Sequence, residues 1–143
     1  MSVFKRLDHV SIGVHDLAAA KRLFIDVFGG QPLKDVGTNE SESFSWFTFN
    51  LGGKKVELVS PNKPGEGGVG RFLSKRGDGF HHLSIAVANL DEAISFFESH
   101  GLRVLAPSKA DPNWKHFYLH PQDTFGALIQ VFEENEKTLA GAG

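Results

Sequence analysis

The chain repeats itself, and the repeat decides what it can fold into. Moving residues 7–24 forward by 73 positions lays His9 on His82, Ser11 on Ser84, Ile12 on Ile85, Val14 on Val87, Leu17 on Leu90, Ala20 on Ala93 and Phe24 on Phe97. The same offset, without a gap, carries Val56-Glu57-Leu58 onto Ile129-Gln130-Val131. One register that pairs both the first and the last segment of each half marks two copies of one supersecondary unit.

Each copy reads as βαβββ. His9–Val14 and His82–Val87 alternate with the period of two that half-buried strands show. Val10, Ile12 and Val14 take one face, and His9, Ser11 and Gly13 the other. Leu83, Ile85 and Val87 repeat this against His82, Ser84 and Ala86. Asp16 and Asn89 are natural N-caps. Helices over Leu17–Phe28 and Leu90–His100 follow, with Leu17, Ala20, Phe24 and Phe28 at helical spacing. Gly29-Gly30 and Gly101 end them. Three strands then follow in each half. The first half gives Gln31–Val36, Phe44–Leu51 and Lys54–Ser60, the last two joined through Gly52-Gly53. The second gives Arg103–Leu105, His116–Leu119 and Ala127–Phe132.

These elements predict an α+β fold in which two βαβββ modules stand in tandem, forming a curved, cleft-shaped mixed sheet. The first module takes residues 1–60 and the second 79–133. Residues 61–78, rich in Pro and Gly at their start, form a linker with a short helix over Val69–Lys75. Residues 134–143 read as a flexible tail. The whole is one domain of 143 residues.

Composition narrows the chemistry. The sequence holds no cysteine, so disulfides and thiolate metal sites are excluded, and a metal must be held by His, carboxylate or amide groups. Net charge is −2 with scattered basic residues, which removes the basic stripe that nucleic-acid binding needs. No apolar run approaches the roughly 20 residues that span a bilayer, and no apolar segment follows Lys5 and Arg6 as in a signal peptide. A soluble, cytoplasmic protein is the expectation.

The polar face of each first strand carries one His and then only small residues, which leaves space. In the last strands, parity puts Glu57 with Val59, and Gln130 with Leu128 and Phe132. If the two curved halves close on one another, His9, Glu57, His82 and Gln130 converge. Two imidazoles, a carboxylate and an amide oxygen suit a divalent ion such as Zn, Co, Ni, Mn or Fe. Lone strand histidines are mostly structural, but these two are related by the repeat, and so are their partners. His81 pairs in the repeat with Asp8, faces away from His82 and reads as structural. His15 and His100 read as solvated, the latter suiting a helix C-terminus. His116 and His120 lie near strand ends where either could reach the site. Trp114 is a pocket candidate, and Trp46 is assigned to the core.

The repeat, the first-strand His pair and the strand-end Glu resemble the vicinal-oxygen-chelate superfamily, which includes glyoxalase I, bleomycin resistance proteins and extradiol dioxygenases. Within it, the strings at residues 7–12, 50–58, 79–83 and 120–124 resemble the methylmalonyl-CoA epimerases most. The resemblance implies metal ligands at His9, Glu57, His82 and Gln130. It implies catalysis at Glu57 and position 130, moving a proton alpha to a metal-bound carbonyl of an acyl-CoA thioester, and a homodimer. Glyoxalase I, acting on a thiol adduct, is the alternative. A dioxygenase or a resistance protein fits the ligand pattern less well. One departure stands out: such epimerases carry Glu where this chain has Gln130, and a neutral amide accepts no proton. A second proton-transfer group would have to come from His116, His120, Glu40 or Glu42, unless the reaction differs.

Overall fold

The computed structural model describes residues 3–134. They form two compact units, one of residues 9–81 and the other of residues 82–134 with those preceding His9. Each unit is α+β with a mixed set of strands and its own apolar core. Among the described residues, no helix is long and apolar enough to cross a membrane.

In the N-terminal unit the strands run in the order β2 (Gln31–Pro32), β4 (Phe44–Leu51), β5 (Lys54–Pro61), β1 (Phe4–Gly13, from His9 onward), and β3 (Gly37–Asn39) also pairs with β4. β1 and β5 are parallel, with Val10 opposite Val56, Ser11 opposite Glu57 and Ile12 opposite Leu58. The β4–β5 hairpin turns on Gly52 and Gly53 at φ 58° and 85°, the left-handed pair that a two-residue turn requires. Helix α1 (Leu17–Lys21) starts on Asp16, whose carboxylate accepts the Ala19 N–H at 2.9 Å. Its Leu17 and Ala20 pack with Phe24 on Val10, Ile12, Phe47, Phe49, Val56 and Leu58. The apolar face of β1 is thus spent on its own helix, as the alternation predicts.

The C-terminal unit repeats this arrangement in the order β6 (Gly79–Val87, from His82 onward), β9 (Ile129–Glu133), β8 (His116–Leu119), β7 (Val104–Ser108). β6 and β9 are parallel, with Ser84 opposite Gln130 and Ile85 opposite Val131. Asn89 caps α3 (Leu90–Ser99) by accepting the Glu92 N–H at 2.9 Å. The helix buries Leu90 and Ala93 on Val87, Phe117, Leu119 and Val131. His100 closes it, its Nδ1 bonded to the Phe96 carbonyl at 2.8 Å.

Several boundaries differ from the sequence reading. The first helix reaches Val27, but residues Arg22–Val27 are π-helical, and the Phe28 N–H reaches back five residues to the Leu23 carbonyl at 3.1 Å. Gln31–Val36 is not one strand. It pairs only over Gln31–Pro32, then leaves β4 and rejoins at Gly37–Asn39. Gly37 lies so close over Trp46 that a Cβ there would come within 2.4 Å of the indole. Trp46 is accordingly part of the cluster with Val59, Val69, Leu73 and Phe44, as its assignment to the core predicts. The linker helix is longer than read: α2 spans Gly67–Arg76 and buries Val69, Gly70 and Leu73. The strand expected over Arg103–Leu105 runs instead over Val104–Ser108, and its ladder is interrupted around Ala106, at φ 49°. Glu134, read as the first residue of a free tail, is 6% exposed and ion-paired to Arg6 and Lys5. Burial alone would raise its carboxyl pKa, but the two cations hold it below the usual carboxylate range. The rest of the tail lies outside the described residues.

The string His120–Thr124 is a structural turn. His120 Nδ1 accepts the Gln122 N–H at 3.1 Å, and Thr124 donates to the Ala127 carbonyl at 2.6 Å. Asp123 accepts from the Arg103 backbone N–H at 2.9 Å, from Nε at 3.0 Å and from a terminal guanidinium nitrogen at 2.9 Å. Those bonds bring the Asp123 carboxyl down to about 2. A depressed carboxyl pKa means a stabilising contribution that is complete above the ordinary value near 4 and lost as pH falls toward about 2. The melting temperature of Asp123→Asn should therefore lie below that of the unmutated protein at pH 6. The gap should close progressively between about pH 4 and 2, and a pH-independent gap would show that the pair does not act through its charge.

Candidate metal centre and active site

Each unit carries half of the predicted ligand set, and each half is built the same way. In the N-terminal unit His9 is 8% exposed on β1, with its Nε2 3.6 Å from Glu57 Oε1 on β5. Ser11, fully buried two residues along, donates its hydroxyl to the same carboxylate oxygen at 2.9 Å. In the C-terminal unit His82 is 5% exposed on β6 and Gln130 8% exposed on β9. Ser84, again fully buried, donates to Gln130 Oε1 at 2.9 Å. The serines stand 46 residues before their partners in both halves.

Parity explains the placement. Residues that oppose each other in a parallel ladder share a face, so Ser11 sits with Glu57 and Ser84 with Gln130. Val56 and Leu58, on the opposite face of β5, go to the helix side. The sequence reading treated Ser11 and Ser84 only as small residues that leave room. Both hydroxyls do more than that, since each is spent on the oxygen of the neighbouring strand.

The donor set fits a divalent cation on its chemistry. A buried imidazole beside a half-buried carboxylate offers one nitrogen and one oxygen, a combination divalent transition ions accept. The Ser11 hydroxyl behind the carboxylate fixes the orientation of its oxygen, as the hydrogen bonds behind ligating carboxylates do in metal sites. The described residues therefore hold a His and Glu group able to bind a metal ion.

Residues 8–118 match the family model described as the Glyoxalase/Bleomycin resistance protein/Dioxygenase superfamily. The chain belongs to this superfamily. Mouse (Mus musculus) mitochondrial methylmalonyl-CoA epimerase is 30% identical over 128 residues, which cover 88% of this chain and 71% of that protein. The crystal structure of methylmalonyl-CoA epimerase from Mycobacterium tuberculosis superposes with a TM-score of 0.82 at 26% identity, over 97% of this chain and 94% of that one. A Streptomyces coelicolor methylmalonyl-CoA epimerase variant, solved in complex with 2-nitronate-propionyl-CoA, superposes with a TM-score of 0.80 at 25% identity, over 93% and 96% of the two chains.

The remaining candidates of this superfamily member separate cleanly. His81 packs its ring against Phe72 at 4.5 Å, and burial lowers its pKa, opposed by the Glu57 carboxylate. His15 is exposed and paired with Asp78 at 2.6 Å. His120 is spent on its turn. Glu40 and Glu42 are exposed on the loop after β3. His116 lies along β8 between Trp114, at 5.1 Å, and Tyr118, at 5.9 Å. Trp114 also stacks on Phe132, the neighbour of Gln130 on the same face of β9, at 5.4 Å. A groove of about 820 Å³ lined by Lys21, Arg22, Ile25, Lys34 and Phe47 lies on the α1 side of the N-terminal unit. It takes neither His9 nor Glu57, so its size says nothing about the ligand set.

Tyr118 is the polar residue the sequence reading missed. It opposes Gln130 across β8 and β9, and its phenol oxygen accepts the Gln130 Nε2–H at 3.1 Å. It could have been found from strand parity, since it shares the face of His116. A tyrosine flanked by Phe and Leu passes instead for core.

Proposed function

We propose that this chain is a metal-dependent epimerase of the methylmalonyl-CoA epimerase type, moving the proton on the carbon alpha to the thioester carbonyl of an acyl-CoA. The observation that carries the reading is the doubled arrangement of a buried His beside a serine-braced oxygen ligand. It supports one ion held jointly by His9, Glu57, His82 and Gln130. The similarity to methylmalonyl-CoA epimerases, one solved with an acyl-CoA analogue, supports the substrate class.

A bound divalent ion would supply the electrophile that draws negative charge onto the carbonyl oxygen. The protein supplies the rest. Glu57, the carboxylate of the set, takes the alpha proton from one face, with Ser11 fixing its rotamer, and His116, on the Gln130 face of β8, is the group left to deliver a proton to the opposite face of that carbon. Gln130 provides an oxygen without adding charge, so the centre carries a single carboxylate. A homodimer and a cytoplasmic location complete the reading; light scattering decides the first and cell fractionation the second.

The test is interconversion of the two epimers of methylmalonyl-CoA, followed from a single epimer. Metal-loaded protein should racemise it, a chelator should abolish the activity, and added Zn²⁺ or Co²⁺ should restore it. Absence of interconversion, together with isomerisation of the hemithioacetal of methylglyoxal and glutathione, would replace this reading with the glyoxalase one.

A further inference from the structure

Position 130 is where the chain departs from its own repeat: the carboxylate of Glu57 becomes an amide. A carboxylate shows an oxygen to a cation whichever way it is turned. An amide shows an oxygen one way and an N–H the other, and the second repels a cation. A glutamine ligand therefore needs a device that fixes its rotation, which a glutamate does not.

Such a device surrounds Gln130. On one side the fully buried Ser84 hydroxyl donates to Oε1 at 2.9 Å, occupying one of its two lone pairs and leaving the other for a ligand. On the other side Nε2 donates to Tyr118 at 3.1 Å. Tyr118 is the only tyrosine in the sequence. Facing Glu57 in the same way across β4 and β5 is Thr48. The phenol thus stands in the half that carries the amide, and not in the half that carries the carboxylate.

We infer that Tyr118, together with Ser84, is a positioning residue that holds the Gln130 amide with its oxygen presented to the metal. The inference rests on the metal assignment proposed above. With Oε1 on a cation, the buried Nε2–H needs an acceptor, since a buried donor left unsatisfied is costly. Tyr118 provides that acceptor. Without it, the amide turns over at little cost, and the face toward the ion becomes an N–H.

The experiment is a double-mutant cycle in zinc affinity, measured by competition with a chromogenic chelator on the full chain. The proteins are the unmutated chain, Tyr118→Phe, Gln130→Glu and the double variant. Tyr118→Phe should weaken Zn²⁺ binding by about tenfold or more in the unmutated background, the scale on which outer-shell partners act, and by no more than about threefold in the Gln130→Glu background. Equal losses in both backgrounds would reduce Tyr118 to a packing residue and overturn the inference, as would no loss in either. If neither the unmutated chain nor Gln130→Glu binds Zn²⁺, the metal assignment itself has failed, which is a different result. A second readout needs no metal. In the metal-free protein, one Gln130 side-chain N–H should show a cross-relaxation contact to the Tyr118 ring and slowed exchange with water. Absence of that contact overturns the inference even if Tyr118→Phe does not fold.

Discussion

Glu57→Gln should lower epimerisation by about 10³-fold while leaving the fold intact, since removing a positioned general base costs typically 10² to 10⁴. The substitution is nearly isosteric and keeps an oxygen that can accept from Ser11, so strand pairing has no reason to change. Metal affinity should fall by about tenfold, the scale of one lost charge-assisted contact. Because Gln130 is already neutral, this variant removes the last carboxylate of the set, and kcat should fall far more than occupancy does. Activity reduced only in proportion to lost metal would assign Glu57 to ligation alone.

His9→Ala and His82→Ala should each reduce the metal content from about one ion per chain to a small fraction, because opening one of four positions forfeits much of the binding free energy. The informative control is His81→Ala. His81 is adjacent in sequence to His82, but its ring is packed on Phe72 at 4.5 Å. It should keep its metal and lose about 1 kcal/mol of stability through that ring contact. Elemental analysis of the three purified variants, beside their melting temperatures, separates the roles. Full metal content in the His9 and His82 double variant would sink the functional reading.

What the sequence revealed and what it hid have physical causes. Strand parity is a local property, so His9, Glu57, His82 and Gln130 could be assigned to faces from alternation and the repeat alone. The N-caps Asp16 and Asn89 were legible for the same reason, since the cap bond spans three residues. The break between Gln31–Pro32 and Gly37–Asn39 was not legible, because it depends on the backbone passing over the Trp46 indole. The π-helical turn at Arg22–Val27 keeps the apolar spacing of an ordinary helix, so periodicity does not reveal it. Glu134 looked like tail because its partners, Lys5 and Arg6, lie at the other end of the sequence. The hydroxyls of Ser11 and Ser84 were hidden by their size. A serine among alternating apolar residues reads as a spacer until its partner across the ladder is known. Strand parity placed Tyr118 on the face of His116, but between Phe117 and Leu119 it passes for core until the register of β8 on β9 sets it opposite Gln130.

The claim at the centre of this account is that two repeat-related half-sites act on one ion. Crystals of the chain grown with Co²⁺ or Zn²⁺ and measured at the metal absorption edge test it most directly. The account predicts one anomalous peak per chain, bonded to nitrogen of His9 and His82 and to oxygen of Glu57 and Gln130, at about 2.0–2.2 Å for zinc. A peak bonded to other side chains, or a fully loaded crystal in which either His9 or His82 stands away from the ion, would contradict it.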